Sequence, residues 1–342
     1  MEIFKTADYN EGEYTIYRKL HVSCSTAGGN EKMMDHQLMQ KVGIITQKVA
    51  MAFFPLKEGE RIPTIDELSH RLKASHGTIQ AAFQLLKEDR AVELNSRGHL
   101  GTFLTYIDRL KLLEIAGFKT MVGVMPLPYS KKYEGLATGI YTTLERHGLH
   151  AALAFMRGSN NRLKGLEEKR YDFAVLSQLT AQYYIDRGEN IRIVENFGKF
   201  TYVGRHVLLL REDDPARESD RFEGYKIGVD SSSVDQKTLT KEFFGEKDVE
   251  YIPLVYSQIV PFLRMKKIDA AVWNLDDIDL AANHLAYRAL DNRRLNIVDT
   301  EAVVVCLSEN GFVYQILKTM LDRREVLDCQ KGVLSDEIMP KY

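Results

Sequence analysis

Three groups of side chains in this sequence have types and spacing suited to chemistry or recognition. The first is Ser75-His76-x-Thr78-x-Gln80, followed downstream by Arg97 and His99. Hydroxyl and amide groups at the start of a helix can enter a major groove and read base edges, and glutamine can bond adenine through two hydrogen bonds. Arg97 and His99 suit phosphate or the minor groove, and Lys73 and Lys87 add phosphate contacts. The second group is Ser231-Ser232-Ser233, set before a helical pattern, with Arg157 and Arg205 elsewhere in the chain. Free N–H groups and the helix dipole favour an anionic ligand group at such a start, and an arginine fork can pair with carboxylate or phosphate. Capping of the helix serves the serines equally well, and a lone arginine also suits the surface. The third group is Asp172, Asp230, Asp269, Glu301 and His206, which are acid–base candidates if the chain is an enzyme.

The elements that must position the first group are short helices. Leu38, Val42, Ile45, Val49 and Ala52 recur at the spacing of one helical face, and Pro55 closes the run. Thr64 with Glu67 three residues on is a capping box opening a second helix, whose buried side is Ile65, Leu68 and Leu72. Ser75 is the next N-cap, and Ile79, Ala82, Phe83 and Leu86 give the third helix its apolar face. About three residues separate the second and third helices, as a helix-turn-helix requires. Val92-Glu93-Leu94 and Thr102-Phe103-Leu104 around Arg97-Gly98-His99-Leu100-Gly101 then predict a hairpin wing.

From Phe118 onward, short apolar strands alternate with amphipathic helices. Strands are expected at 120–125, 151–156, 173–176, 191–194, 202–210, 226–229, 249–252, 270–273 and 302–307, with helices such as 133–144, 234–244 and 257–266. Gly148 and Gly245 stand as C-terminal stops. This alternation predicts an α/β architecture of parallel sheets flanked by helices. Open sheets of this kind bind ligands at the carboxyl ends of their strands. That rule brings the 125–139 segment with Pro126, Tyr129, Tyr133 and Glu134, and also Arg157, Ser177, Ser231 to Ser233 and Asn274, to one candidate cleft.

At 342 residues, with 44% apolar and 27% charged residues, the chain suits two globular domains. The formal net charge of −2 gives no global nucleic-acid signature, and nine Lys or Arg against eight acids between 35 and 105 give little local excess. Useful DNA occupancy therefore calls for two modules in a homodimer. Cys24, Cys306 and Cys329 lack metal-type spacing, which predicts reduced thiols and no zinc site. No cofactor or phosphate-loop motif is seen, and no signal or membrane-length apolar run, so a cytoplasmic location is expected.

Ile62 to Leu68, Ser75-x-x-Thr78-Ile79-Gln80-x-Ala82-Phe83 and Arg97-Gly98-x-x-Gly101-Thr102-Phe103 together resemble the winged helix of GntR-type regulators. The resemblance implies DNA contact by Ser75, His76, Thr78, Gln80 and the glycine-rich wing, Gly98 included. His76 and Gln80 replace arginines usual in that family, and Arg90 stands where it usually has glycine. The second half resembles the type II periplasmic-binding-protein fold used as a sensor in bacterial regulators. It carries Asp172-Phe173-Ala174-Val175 after a helix, the crossover strand 202–210 and the run Ile268 to Trp273. Met125 to Tyr129, Tyr133 to Ala137, Met156-Arg157-Gly158, Thr201 to Gly204, Asp235-Gln236-Lys237 and Thr300 to Val304 resemble the YhfZ family of GntR-like regulators. That likeness adds Tyr202, Asp235, Gln236 and Glu301 to the effector candidates. Tyr129 and Tyr133 equally suit packing between lobes, and Asp235 the first turn of a helix. Glu301 opens a strongly apolar strand, where a buried carboxylate would need a partner or a ligand amine.

The expected organisation is an N-terminal extension over 1–34, a winged helix-turn-helix over 35–106, a linker over 107–117 and a two-lobed domain over 118–342. Lobe one is expected at about 118–203 and 296–342, lobe two at about 204–295. The leading reading is a transcriptional regulator whose operator binding answers to a small, anionic effector between the lobes. An enzyme on the same two-lobed fold, with the winged helix as a dimerisation element, is the alternative. A pure interaction module is a third reading.

Overall fold

The computed structural model describes residues 29–290 and 294–342. The expected strand at 14–17, Cys24 and most of the expected extension lie outside the described residues. The chain divides into two compact units, Met1–Thr120 and Met121–Tyr342.

Unit one contains α1 (Gly29–Phe53), α2 (Ile65–Leu72), α3 (His76–Glu88), β1 (Val92–Ser96), β2 (Thr102–Ile107) and α4 (Arg109–Ile115). Residues 29–34, read as part of the extension, are thus the start of α1. Ile45, Val49, Ala50 and Phe53 of α1 are buried with Ile79, Ala82 and Leu86 of α3, and the Phe53 and Phe83 rings lie 5.3 Å apart. The capping box that opens α2 is present: Thr64 Oγ1 accepts from Glu67 N at 3.2 Å, and the Glu67 carboxylate accepts from Thr64 N at 2.6 Å. These reciprocal bonds hold the Glu67 carboxyl below its ordinary value. Residues 109–115, within the expected linker, form α4, whose Leu112 and Leu113 are buried and which packs on α1.

β1 and β2 pair antiparallel as the expected wing. Residues 59–62 line its other edge: Ile62 N donates to Thr102 O, and Leu104 N to Glu60 O, both at 2.9 Å. Gly101 adopts φ +97°, a conformation that side-chain-bearing residues rarely take, so the position favours glycine. Arg90, noted in sequence as a departure, adopts the left-handed φ of 54° that glycine would take without strain.

Unit two runs β3 (Thr120–Met125), α5 (Lys131–Arg146), β4 (His150–Phe155), α6 (Ser159–Glu167), β5 (Phe173–Ser177), α7 (Gln178–Asp186) and β6 (Ile191–Gly198). A first crossover leads to β7 (His206–Arg211), β8 (Tyr225–Val229), α8 (Val234–Phe244), β9 (Val249–Pro253), α9 (Ile259–Arg264), β10 (Ala270–Asn274), α10 (Leu280–Asn283) and β11 (Leu285–Ala289). A second crossover contains α11 (Arg294–Asp299), and β12 (Ala302–Leu307), α12 (Gly311–Met320) and α13 (Arg323–Leu334) follow.

Two five-stranded sheets result, in the orders β4-β3-β5-β12-β6 and β11-β7-β10-β8-β9. The strand that follows each crossover inserts antiparallel into the receiving sheet: β7 between β10 and β11, and β12 between β5 and β6. The sheets are therefore mixed, which corrects the expectation of purely parallel ones. The chain thus leaves lobe one after β6, builds all of lobe two from β7 to β11 and returns to lobe one with β12, which gives the two-lobed binding-protein architecture expected from the sequence pattern. Every residue of β5, β10 and β12 is buried, because helices cover both faces. In lobe two, Leu208 and Leu210 pack towards Phe243 and Phe244 of α8, while Leu209 packs with Ile259 and Leu263 of α9 on the other face. The expected strand 202–210 begins only at His206. Residues 199–205 are the crossover itself, whose apolar Tyr202 and Val203 are buried without strand pairing.

Candidate functional site

Within unit one, the recognition-helix candidate α3 opens on Ser75, whose Oγ accepts from Thr78 N at 3.3 Å and lies 2.8 Å from Thr78 Oγ1. Thr78, expected to face DNA, is buried by this cap; its hydroxyl is spent on Ser75. His76, Gln80 and Gln84 are exposed, and Gln80 and Gln84 stand one turn apart on the outward side. Gln84 was not a sequence candidate, yet its period from Gln80 would have found it. His76 Nε2 contacts Asp66 Oδ1 at 2.9 Å across the turn. In the wing, Gly98 takes φ +58°, Arg97 and His99 are exposed, and the Arg97 guanidinium lies 4.6 Å from the Phe103 ring centroid. The stem is therefore packed while the charged end stays at the surface.

Within unit two, the two lobes close on a cavity of about 70 Å³ at the C-terminal ends of their strands. Of the expected residues, Pro126, Tyr129, Tyr133, Arg157, Tyr202, Ser233, Asp235, Gln236 and Asn274 line it. Tyr133 and Tyr202 pack edge to face at 5.2 Å, and burial first, then mutual proximity for Tyr133, pushes both phenols above their ordinary value. Gln236 ties the lobe-two strand ends together: its amide donates to Gly228 O and Val272 O and accepts from Asp230 N. Asp230 is fully employed, one oxygen holding Ser232 N and Oγ and the other accepting from Tyr256 N at 3.1 Å.

Ser177, Ser231, Ser232, Glu134 and Glu301 are not among the lining residues. Ser177 acts behind the wall, donating to Asp235 Oδ1 at 2.9 Å while it caps α7. The Ser231 and Ser232 carbonyls accept from Asn160 of the other lobe, both at 3.3 Å, and the Ser159 hydroxyl accepts from Val234 N at 3.0 Å. The N-termini of α6 and α8 are thereby clasped across the cleft. Gly158, at φ +78°, permits it, since a Cβ there would stand 2.6 Å from Ser232 Oγ. Glu134 sits in the first turn of α5 and gives Thr138 its backbone carbonyl. Glu301 meets the partner its position called for: Asn196 Nδ2 donates to its carboxylate at 2.8 Å, away from the cavity.

Sequence reasoning missed Arg162 entirely and read His206 only as an acid–base candidate. Arg162 is 4% exposed, lines the cavity, and donates to Met156 O at 2.9 Å and Tyr202 Oη at 3.1 Å. His206 also lines it, with Nδ1 2.6 Å from a carboxylate oxygen of the fully buried Asp299. Beside them the Asp235 carboxyl is pushed up to about 7, by burial first and then by the Asp299 charge, against the pull of His206, Ser177 and Arg162. At the cleft mouth Tyr129 faces Tyr256 at 6.0 Å, and Tyr256 stacks on Trp273 at 3.9 Å. Of the other acid–base candidates, Asp172 accepts from Val122 N and Asp269 pairs with Arg211, both away from the cavity.

A helix-turn-helix unit joined in one chain to a two-lobed, binding-protein-like domain defines the class. A family model described as the YhfZ C-terminal domain matches residues 108–342, and one described as a helix-turn-helix domain matches residues 57–104. The chain belongs to the YhfZ family. It is 32% identical to YhfZ of Escherichia coli (strain K12) over 314 residues, 90% of this chain and 100% of that protein. Among solved structures, YhfZ from Shigella flexneri is 34% identical, with a TM-score of 0.59 over 68% of this chain and 97% of that one. A periplasmic substrate-binding protein of an ABC transporter from Coxiella burnetii is 17% identical, with a TM-score of 0.43 over 65% of this chain and 100% of that one. Among the described residues no helix is long and apolar enough to cross a membrane, and Cys306 and Cys329 are free thiols.

Proposed function

We propose that this protein is a GntR-like, cytoplasmic transcriptional regulator that binds operator DNA as a homodimer and responds to a small effector held between its two lobes. One observation carries the reading. A helix-turn-helix with an exposed polar stripe shares its chain with a cleft in which buried donors, Arg162 Nε and Asn274 Nδ2, have no protein partner. Buried donors of this kind are costly unless something accepts from them, which suits an effector with an anionic group. His76, Gln80, Arg97, Gly98 and His99 form the DNA-facing set, with Ser75 and Thr78 holding the helix start. The effector shifts an equilibrium between lobe arrangements that differ in operator affinity.

Fluorescence anisotropy tests the reading. Purified full-length protein is titrated onto labelled duplex from upstream of its own gene, with and without a deproteinised cell extract. Binding that displays a sequence preference and shifts with a small-molecule fraction supports it. Binding equal to that of random duplex, unchanged by every fraction, overturns it.

A further inference from the structure

The cleft pairs one buried cation with one buried acid, and this pairing narrows the ligand class; the argument rests on the effector-binding reading above. Arg162 lies in the first turn of α6, a nine-residue helix, and is more than nine-tenths buried. Its Nη atoms reach only a carbonyl and a phenol, its Nε has no protein partner, and among the described residues no carboxylate lies within ion-pair distance of it. A desolvated guanidinium without an anion is costly, and the Arg162 side chain is part of the cavity lining. Asn274, 3% exposed, uses its side-chain oxygen to hold Asp276 N and leaves Nδ2 unpartnered on the same cavity. The positive end of α6 adds to these donors.

Of the two acids lining the cavity, Asp230 is consumed by Ser232 and Tyr256, so Asp235, held through one oxygen by Ser177, is the acid left to meet a ligand. Its titratable and polar neighbours from the elements packed around it are Asp299, His206, Arg162, Tyr133, Tyr184, Tyr202 and Ser177. Burial and Asp299 hold its proton to about pH 7, so a cation placed beside it would release that proton. Size sets the last constraint. A cavity of about 70 Å³ has room for roughly five to seven water-sized groups, and Tyr129 and Tyr256, the latter stacked on Trp273, form part of its wall.

We propose that the cleft binds a small zwitterion, an amino acid of glycine to serine size, with its carboxylate on Arg162 and Asn274 and its ammonium on Asp235. Titration calorimetry on the full-length protein uses glycine, both enantiomers of alanine, L-serine and β-alanine as probes. Propionate, ethylamine, malonate and inorganic phosphate are the comparison arms. At least one zwitterion should bind saturably, at least tenfold more tightly than propionate or ethylamine. Its binding at pH 6 should release protons, read as a dependence of the heat on the buffer's ionisation enthalpy. Asp235→Asn, nearly isosteric and checked by its melting curve, should weaken the zwitterion at least tenfold and leave propionate unchanged. Asn274→Asp should weaken every carboxylate.

Malonate or phosphate binding as tightly as the best zwitterion, an unaffected Asp235→Asn variant, or no binding by any zwitterion overturns the class. If such an anion nonetheless alters operator affinity, effector control stands without the zwitterion. If a zwitterion binds as described and operator affinity does not change, the ligand class stands and the control reading falls.

Discussion

Asp235 is the residue on which the cleft's acid–base behaviour turns. Its carboxyl is raised from an ordinary 3.8 to about 7 by burial first and by Asp299 second. The sign follows directly: the folded chain holds a proton that the unfolded chain releases near pH 4. Stability is therefore full below about pH 4 and is lost as pH rises to about 7, above which the deficit is constant. Asp235→Asn keeps a neutral group against Ser177 at every pH. In ligand-free protein the variant should melt with the wild type near pH 4 and a few degrees above it at pH 8, the gap opening between those limits. Differential scanning fluorimetry across that range checks it, and a gap independent of pH would show that the carboxylate is not the group responsible. Gly158 gives a second residue-scale prediction. Gly158→Val places a branched side chain at φ +78° against Ser232, so amides 159–162 and 232–236 should exchange hydrogen faster, at least tenfold, as the clasp between α6 and α8 opens.

At the scale of elements, the caps explain much of what could be read in advance. The helix over 234–244 was predicted to the residue because Ser233 opens it and Gly245, at φ +54°, closes it. The strands 120–125 and 302–307 were equally plain, being apolar runs bounded by polar residues. β11 was missed because Leu285-Ala-Tyr-Arg-Ala alternates weakly, and 202–210 was drawn too long because an apolar run does not say where pairing begins. The site was legible where strand ends met loops, as at Pro126, Arg157, Ser233 and Asn274. Arg162 and Asp299 were not legible, since a charged residue on a helix reads as solvated until tertiary packing buries it. The cap of α3 yields a test. Ser75→Ala should cost about 1 kcal/mol and lower the melting temperature of unit one by a few degrees. Gln80→Ala, on the exposed stripe, should leave that temperature within a degree or so while weakening operator binding about tenfold, the loss of a bidentate base contact.

For the whole molecule, charge sets how binding should respond to salt. The chain carries 46 Lys or Arg against 48 acids, so no long-range field draws DNA to it. Phosphate contacts then fall to a few residues, Lys73, Lys87 and Arg97 foremost. A dimer using all of them should show a log affinity against log salt slope of magnitude about 5, and Arg97→Ala should reduce that slope by about 2. Anisotropy titrations between 50 and 200 mM salt would measure both; a much steeper wild-type slope would mean that further cations touch the backbone.

The division of lobe one around lobe two also bears on how the polypeptide is made. Every strand of the second sheet lies between His206 and Ala289, whereas the first sheet waits for β12, Ala302–Leu307, to fill the gap between β5 and β6. A nascent chain emerging from the ribosome can thus complete the later lobe before the earlier one. Until the final segment arrives, β5 and β6 present open edges that invite pairing with another chain. A chain terminated just before residue 302 should accordingly resist proteolysis over 206–289 while its N-terminal lobe is cut, an inversion of the order in which the two were synthesised.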